Sequence, residues 1–210
     1  MSSLAHYELH RAITRAGGPA GLEVTQAALV ADLKKQLDNA VAQAAGDPFG
    51  FGFPYAAFDG TSHGQGLAVM ASLYDQLTGT TTYADFGRRQ LGVLLGANAW
   101  GTSFIVGAGS TFPHCMQHQV ANLSGSLDGS APIVRGAPVN GTNATRVFSG
   151  LGTPAGARAC PPDGSDPFAA FNGQGARYFD NVVSWPTVEP AIDFAATTPL
   201  AFARHIAGLP

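Results

Sequence analysis

Three segments in the first half of this chain repeat apolar residues at helical spacing, which makes that half a set of amphipathic α-helices. Between residues 29 and 41, Leu29, Val30, Leu33, Leu37 and Val41 recur at three-, four- and seven-residue steps, while Lys34, Lys35 and Asp38 take the wet side. A second segment opens with Ser62 and Gln65 at capping-box spacing, runs through Leu67, Met70, Leu73, Tyr74 and Leu77, and closes at Gly79. In the third, Thr82 and Asp85 repeat the box, Phe86, Leu91, Leu94 and Leu95 form the buried side, and Gly96 stands where a left-handed C-terminal cap is expected. The second and third segments predict an antiparallel helix pair joined at residues 79–81.

From about residue 97 to 186 the sequence changes character, being rich in Gly, Pro, Ser, Asn and Thr, with one short β-like run at residues 104–106. Loops this long are uncommon in compact domains unless they carry function, so the stretch points to a binding or catalytic surface on a helical frame. A last helix returns near the end, with Ile192, Leu200, Phe202 and Ile206 as its apolar side. The expected organisation is helical over 22–97, loop-rich over 98–186 and helical again over 190–207.

With 45% apolar residues and 12% charged, the 210-residue chain has the composition of one folded domain, not of a disordered one. Its net charge is -3 and its nine Arg and two Lys are scattered, so no basic stripe addresses a phosphate backbone, and nucleic acid is not an expected partner. No apolar run approaches the roughly 18 residues of a membrane span, and the first 18 residues are too polar for a signal peptide. Cys115 and Cys160 are either bridged or free. Sequons at Asn122, Asn140 and Asn143 matter only in a glycosylating pathway.

Glutamate is scarce, occurring only at positions 8, 23 and 189. Glu189 lies between Trp185, Val188 and prolines, a setting expected to bury it, disfavour its charged form and raise its pKa. A carboxylic acid held protonated near neutral pH can protonate a leaving oxygen, the demand that glycosidic cleavage makes of its general acid. The plainer reading is that Glu189 caps the following helix at its positive end. His114 and His118 flank Cys115, but the Gly-Ser-Thr-Phe-Pro lead-in favours a loop and no CxxC or HExxH accompanies them, so neither metal nor cofactor is expected. Contact with sugar suits these histidines better, and the aromatic residues of the loop half could stack on pyranose faces.

The segment Tyr178-Phe179-Asp180, four residues, Trp185, three residues, Glu189, one residue, Ala191 resembles the C-terminal signature of family 9 glycoside hydrolases, the cellulase-type enzymes. It departs where the family's Asn, six residues after the Glu, is Ala195. Residues 91–109, LGVLLGANAWGTSFIVGAG, look like the family's helix, short strand and first active-site loop, and residues 48–79 resemble the helix pair before that loop. The family's His-x-Arg has no full counterpart: aligned on Pro113, His114 matches and Met116 replaces the Arg; counted without a gap, His118 matches and Gln119 replaces it. The likeness spans roughly residues 25–207.

The resemblance implies an all-α fold of the (α/α)6-barrel type, here the C-terminal half of a catalytic domain, with a cleft for a β-1,4-glucan. It assigns Glu189 as general acid with Asp180 in support of it, and His114, His118, Trp185 and Tyr178 to sugar binding. It also implies secretion of the full-length protein. The family's base belongs to an Asp-Ala-Gly-Asp motif, which this sequence lacks. Because inversion needs a second carboxyl roughly 6.5 to 9.5 Å from the first, a base must come from elsewhere. Asp59, Asp128, Asp180 and Asp193 are the local candidates. Half a helical ring would expose apolar faces, so the missing half or self-association is the expected partner. The rival expectation is a non-catalytic glucan-binding or structural remnant.

Overall fold

The computed structural model describes residues 2–19, 21–55, 57–124 and 134–209. Among these residues five longer helices build the frame: α1 (Ser2–Arg15), α2 (Gln26–Ala45), α3 (Gly60–Thr78), α4 (Ala84–Leu94) and, after two short ones, α7 (Ile192–Ile206). The short ones are α5 (Gln119–Ser124) and α6 (Trp185–Val188). Two-residue strands β1 (Asn143–Ala144) and β2 (Ala176–Arg177) pair antiparallel. No helix among the described residues is long and apolar enough to cross a membrane.

Helix α2 begins where Thr25 accepts a hydrogen bond from the Ala28 N–H at 3.1 Å, and it buries Leu29, Leu33, Leu37 and Ala40. Val41, one position off that stripe, is exposed. Helix α3 lies at the centre, packed by α1, α2, α4 and α7. Its burial on several sides explains why its polar residues do not cap it as the sequence predicts. The helix starts after Asp59; Ser62 Oγ donates to the Asp59 carbonyl at 3.1 Å. Gln65 is buried and meets the hydroxyls of Thr198 at 2.6 Å and Thr197 at 2.7 Å on α7.

The α3–α4 hairpin forms as predicted, with Gly79 left-handed at its turn, but Asp75 replaces the Thr82–Asp85 box. The buried Asp75 carboxylate accepts from Thr80 Oγ1 at 3.0 Å and from the Tyr83 N–H at 2.9 Å, while Asp85 pairs with Arg88 on the surface. A Cβ on Gly87 would sit 3.3 Å from that of Ala71, so the absent side chain sets how closely the two helices approach.

Two differences from the sequence expectation mark the ends. The polar opening segment is helix α1, which buries Ile13 and rests Leu4 and Tyr7 on the main core. On α7 the buried residues are Phe194 and Ala201, with Leu200 and Phe202 against the core; Ile192 and Ile206 are 90% and 83% exposed, because α3 covers the opposite side.

The loop half folds by other means. Residues 104–106 bond with 136–139: Val106 N–H to the Ala137 carbonyl, Gly136 N–H to that of Val106 and Val139 N–H to that of Phe104. Buried Asn98 holds the turn after α4 by donating to the carbonyls of Val93 at 2.7 Å and Thr102 at 2.8 Å. Of the two states open to the cysteines, the fold takes the bridged one: Cys115 and Cys160 form a disulfide.

Candidate active site

Glu189 follows α6, and its backbone is held from two sides. The Glu189 N–H donates to Asn140 Oδ1 at 3.0 Å, the Asn140 N–H donates to the Glu189 carbonyl at 3.3 Å, and the Gly141 N–H reaches the Thr187 carbonyl at 3.1 Å. On the other side the Gln117 N–H donates to the Val188 carbonyl at 3.0 Å, tying the histidine loop to the same peptide. Buried Thr187 donates to the Phe179 carbonyl at 2.7 Å and exchanges a hydrogen bond with Ser184, so α6 is internally braced. The fixed strip thus comes from three remote parts of the sequence.

The expectation that Glu189 is buried does not hold: its side chain is exposed. The apolar neighbours explain this, since Val188 faces inward and Trp185, 40% exposed, lies open and builds no wall. The pKa of Glu189 is nevertheless raised, first by partial desolvation of the carboxyl, then by the charges of Asp59 and Asp193. Nor does Glu189 cap α7, whose N-cap is Ala191. Asp193, four residues further on, lines a groove of about 640 Å³ between α1, α2, α3 and α7, whose lining does not include Glu189 itself. Phe53 and His63 line it too, their rings stacked 3.6 Å apart, with Asn39 and Thr197 supplying polar groups.

Asp180 is half-buried and spends its carboxyl on the backbone rather than on Glu189. Its two oxygens accept the N–H groups of His114 and Cys115, both at 2.9 Å, fixing the loop that carries His114. Desolvation raises its pKa, and those two hydrogen bonds oppose the rise. His114 is half-buried and stacks on Phe112 with ring centres 4.8 Å apart. His118 is engaged elsewhere, its Nδ1 accepting the Ala121 N–H at 3.2 Å and so capping α5.

Tyr178, expected at the sugar, is fully buried among Trp100, Phe104 and Phe168, and its ring has no surface with which to meet a ligand. Of the two residues that stand for the family's Arg in the alternative alignments, Met116 is buried in the main core and Gln119 donates from Nε2 to the Ala155 carbonyl at 3.0 Å. The three sequon asparagines are all buried and hydrogen-bonded, so none offers its amide for glycosylation in the folded chain. Among the described residues no group of three or more His, Cys, Asp or Glu is placed to hold a metal. Of the candidate bases, Asp59 and Asp193 lie near Glu189, and Asp128 lies outside the described residues.

Sequence reasoning missed Asn140 and Asn143 as site builders. Asn143 Nδ2 donates to the Pro186 carbonyl at 2.9 Å, and both asparagines reach Asp59 Oδ1 at 3.3 Å. It also missed the Phe53–His63 pair. Polar residues in an aperiodic loop leave no spacing signal, and His63 reads in sequence only as a polar position on a helix.

Solved structures with the same architecture include a metagenome-derived glycoside hydrolase family 9 endoglucanase, 23% identical with a TM-score of 0.64 over 88% of this chain. The GH family 9 endoglucanase J30 matches 85% of the chain at 23% identity and a TM-score of 0.63. A thermostable endoglucanase from Alicyclobacillus acidocaldarius matches 88% at 22% identity and a TM-score of 0.60. The chain spans only 29%, 30% and 31% of these three proteins' lengths, respectively. No curated protein matches it. The sequence model of glycosyl hydrolase family 9 matches residues 29–202, which takes in α2 to α4, the loop half and the Glu189 strip. The helical frame is thus that of a partial (α/α) barrel, and the chain belongs to glycosyl hydrolase family 9.

Proposed function

We propose that this chain supplies the proton-donating side of a hydrolase active site for β-1,4-linked glucans. Glu189 protonates the leaving glycosidic oxygen, and a carboxylate outside this chain activates water on the opposite face of the sugar, giving inversion. The observation that carries this reading is a carboxyl with raised proton affinity, displayed from a peptide fixed on both sides; a groove of sugar size opens at Asp193, four residues further on. His114 on Phe112 and the exposed Trp185 offer flat surfaces for pyranose rings. Asp180 serves by holding the loop that bears His114.

The base comes from a complementing N-terminal segment. That segment, or a second copy of the chain, would also cover the exposed Ile192 and Ile206. The disulfide supports an oxidising, extracellular setting for the full-length protein.

A second reading, a glucan-binding remnant without catalysis, draws on the missing cation, with Met116 or Gln119 in place of the family's Arg, and on Ala195 in place of Asn. Turnover of a soluble β-1,4-glucan, measured with the chain and a complementing segment bearing the Asp-Ala-Gly-Asp motif, separates the two. Hydrolysis with inverted product, slowed about 10²- to 10⁴-fold by Glu189→Gln, supports the first reading. Binding without hydrolysis, or hydrolysis indifferent to that substitution, sinks it.

A further inference from the structure

The amide of Asn140 joins Glu189 to Asp59. Its Oδ1 accepts the Glu189 N–H at 3.0 Å and its Nδ2 donates to Asp59 Oδ1 at 3.3 Å, where Asn143 Nδ2 also arrives at 3.3 Å. Asn140 and Asn143 are 5% and 1% exposed, so neither amide turns to water for a partner. A primary amide has one accepting and one donating end. With Oδ1 given to Glu189, the other end needs an acceptor, and flipping the group would lose both bonds.

Asp59 reaches this place in a left-handed conformation, φ 54° and ψ 66°, which few residues other than Gly, Asn and Asp adopt. The surroundings hold it there. The Gly60 N–H donates to the Thr142 carbonyl and the Thr61 N–H to that of Asn140, both at 3.0 Å. Gly60 lies so close to Thr142 that a Cβ would fall 2.5 Å from its Oγ1. The start of α3 is therefore stitched to residues 140–142, and those in turn to Glu189.

We propose that Asp59 is a positioning residue for Glu189, acting through Asn140 to fix the peptide that carries the acid and through its own charge on the carboxyl. The proposal rests on the assignment of Glu189 as proton donor. Around that carboxyl stand Asp59 before α3 and Asp193 on α7; His63 lies on α3, and His114 and His118 on the loop tied to Val188. Both aspartates favour the protonated acid. A donor loses activity as pH rises through its own pKa. Removing the Asp59 charge lowers that pKa, so the alkaline limb of the rate profile moves to lower pH.

With only three glutamates in the sequence, a carbon-13 label on Glu carboxyls lets NMR follow Glu189 in the full chain. Asp59→Asn keeps an oxygen for both asparagines but loses the charge: the Glu189 titration midpoint falls while the Glu189 amide signal stays in place. Asp59→Ala loses both, so the midpoint falls and amide exchange at Glu189 quickens about tenfold. Unchanged midpoints in both variants, or wild-type exchange in Asp59→Ala, overturn the proposal. Should Asp59→Ala fail to melt cooperatively, the Asp59→Asn midpoint alone decides. Absence of turnover by the complemented wild type sinks the role of Glu189 without touching the titration result, so the two failures are distinguishable.

Discussion

The helical frame and the loop half both bury side chains, but by different physics. Between α2, α3 and α4 the cluster of Leu33, Leu37, Ala40, Met70, Ala71, Tyr74, Tyr83 and Phe86 is built from stripes at helical spacing. The loop half has little regular structure, yet it buries Asn98, Thr102, Ser103, Asn140, Thr142, Asn143, Asn181, Ser184 and Thr187. Most of these satisfy loop backbone groups that helices satisfy internally, as Asn98, Asn143 and Thr187 do. Apolar burial is non-directional and forgives small displacements, whereas a buried amide must meet its partners at fixed distance and angle. The rigid half of this molecule for chemistry is therefore its irregular one.

The largest effect should come from the covalent link. Cys115→Ser opens a loop spanning a sequence separation of 45, worth about 4 kcal/mol in the chain-entropy account. Hydrogen exchange should show protection lost across residues 98–124 and 134–186 and kept in α2 to α4. Equal loss in both regions would mean that they unfold as one unit and the contrast is false.

Next comes Leu37→Ala, which empties a fully buried position in the purely helical cluster at a cost of about 3 kcal/mol. Chemical denaturation should register it, with exchange in the loop half less disturbed than in α2 to α4. A smaller effect, about 2 kcal/mol, is expected for Asn143→Ala, which leaves the Pro186 carbonyl without its buried donor. Its readout is local: faster exchange at Glu189 and Gly141 with α2 unchanged. If the melting temperature drops as far as for Leu37→Ala, polar satisfaction is holding up the frame as well.

The sites of agreement and failure in reading the sequence follow the same division. The α3–α4 hairpin, the α2 stripe and the terminal helix are legible because a helix is written in contacts three and four residues apart. The capping boxes at Ser62 and Thr82 fail because Gln65 and Asp75 find partners far along the chain or inside the core. Tyr178 and Trp185 share one motif, but one lies sealed in the core and the other open, which motif spacing does not specify.

The order of residues by itself determined where the frame helices run, that Glu189 is the one glutamate beyond position 23, and that a long irregular stretch precedes it. Tertiary structure alone decided that Asp59 meets Asn140, 81 positions away, that Asp180 reaches His114 across 66, and that Glu189 stands in the open while Met116 does not. Such pairings are set by how packed helices bring loop ends together, and a distance of that kind has no period for a sequence to carry.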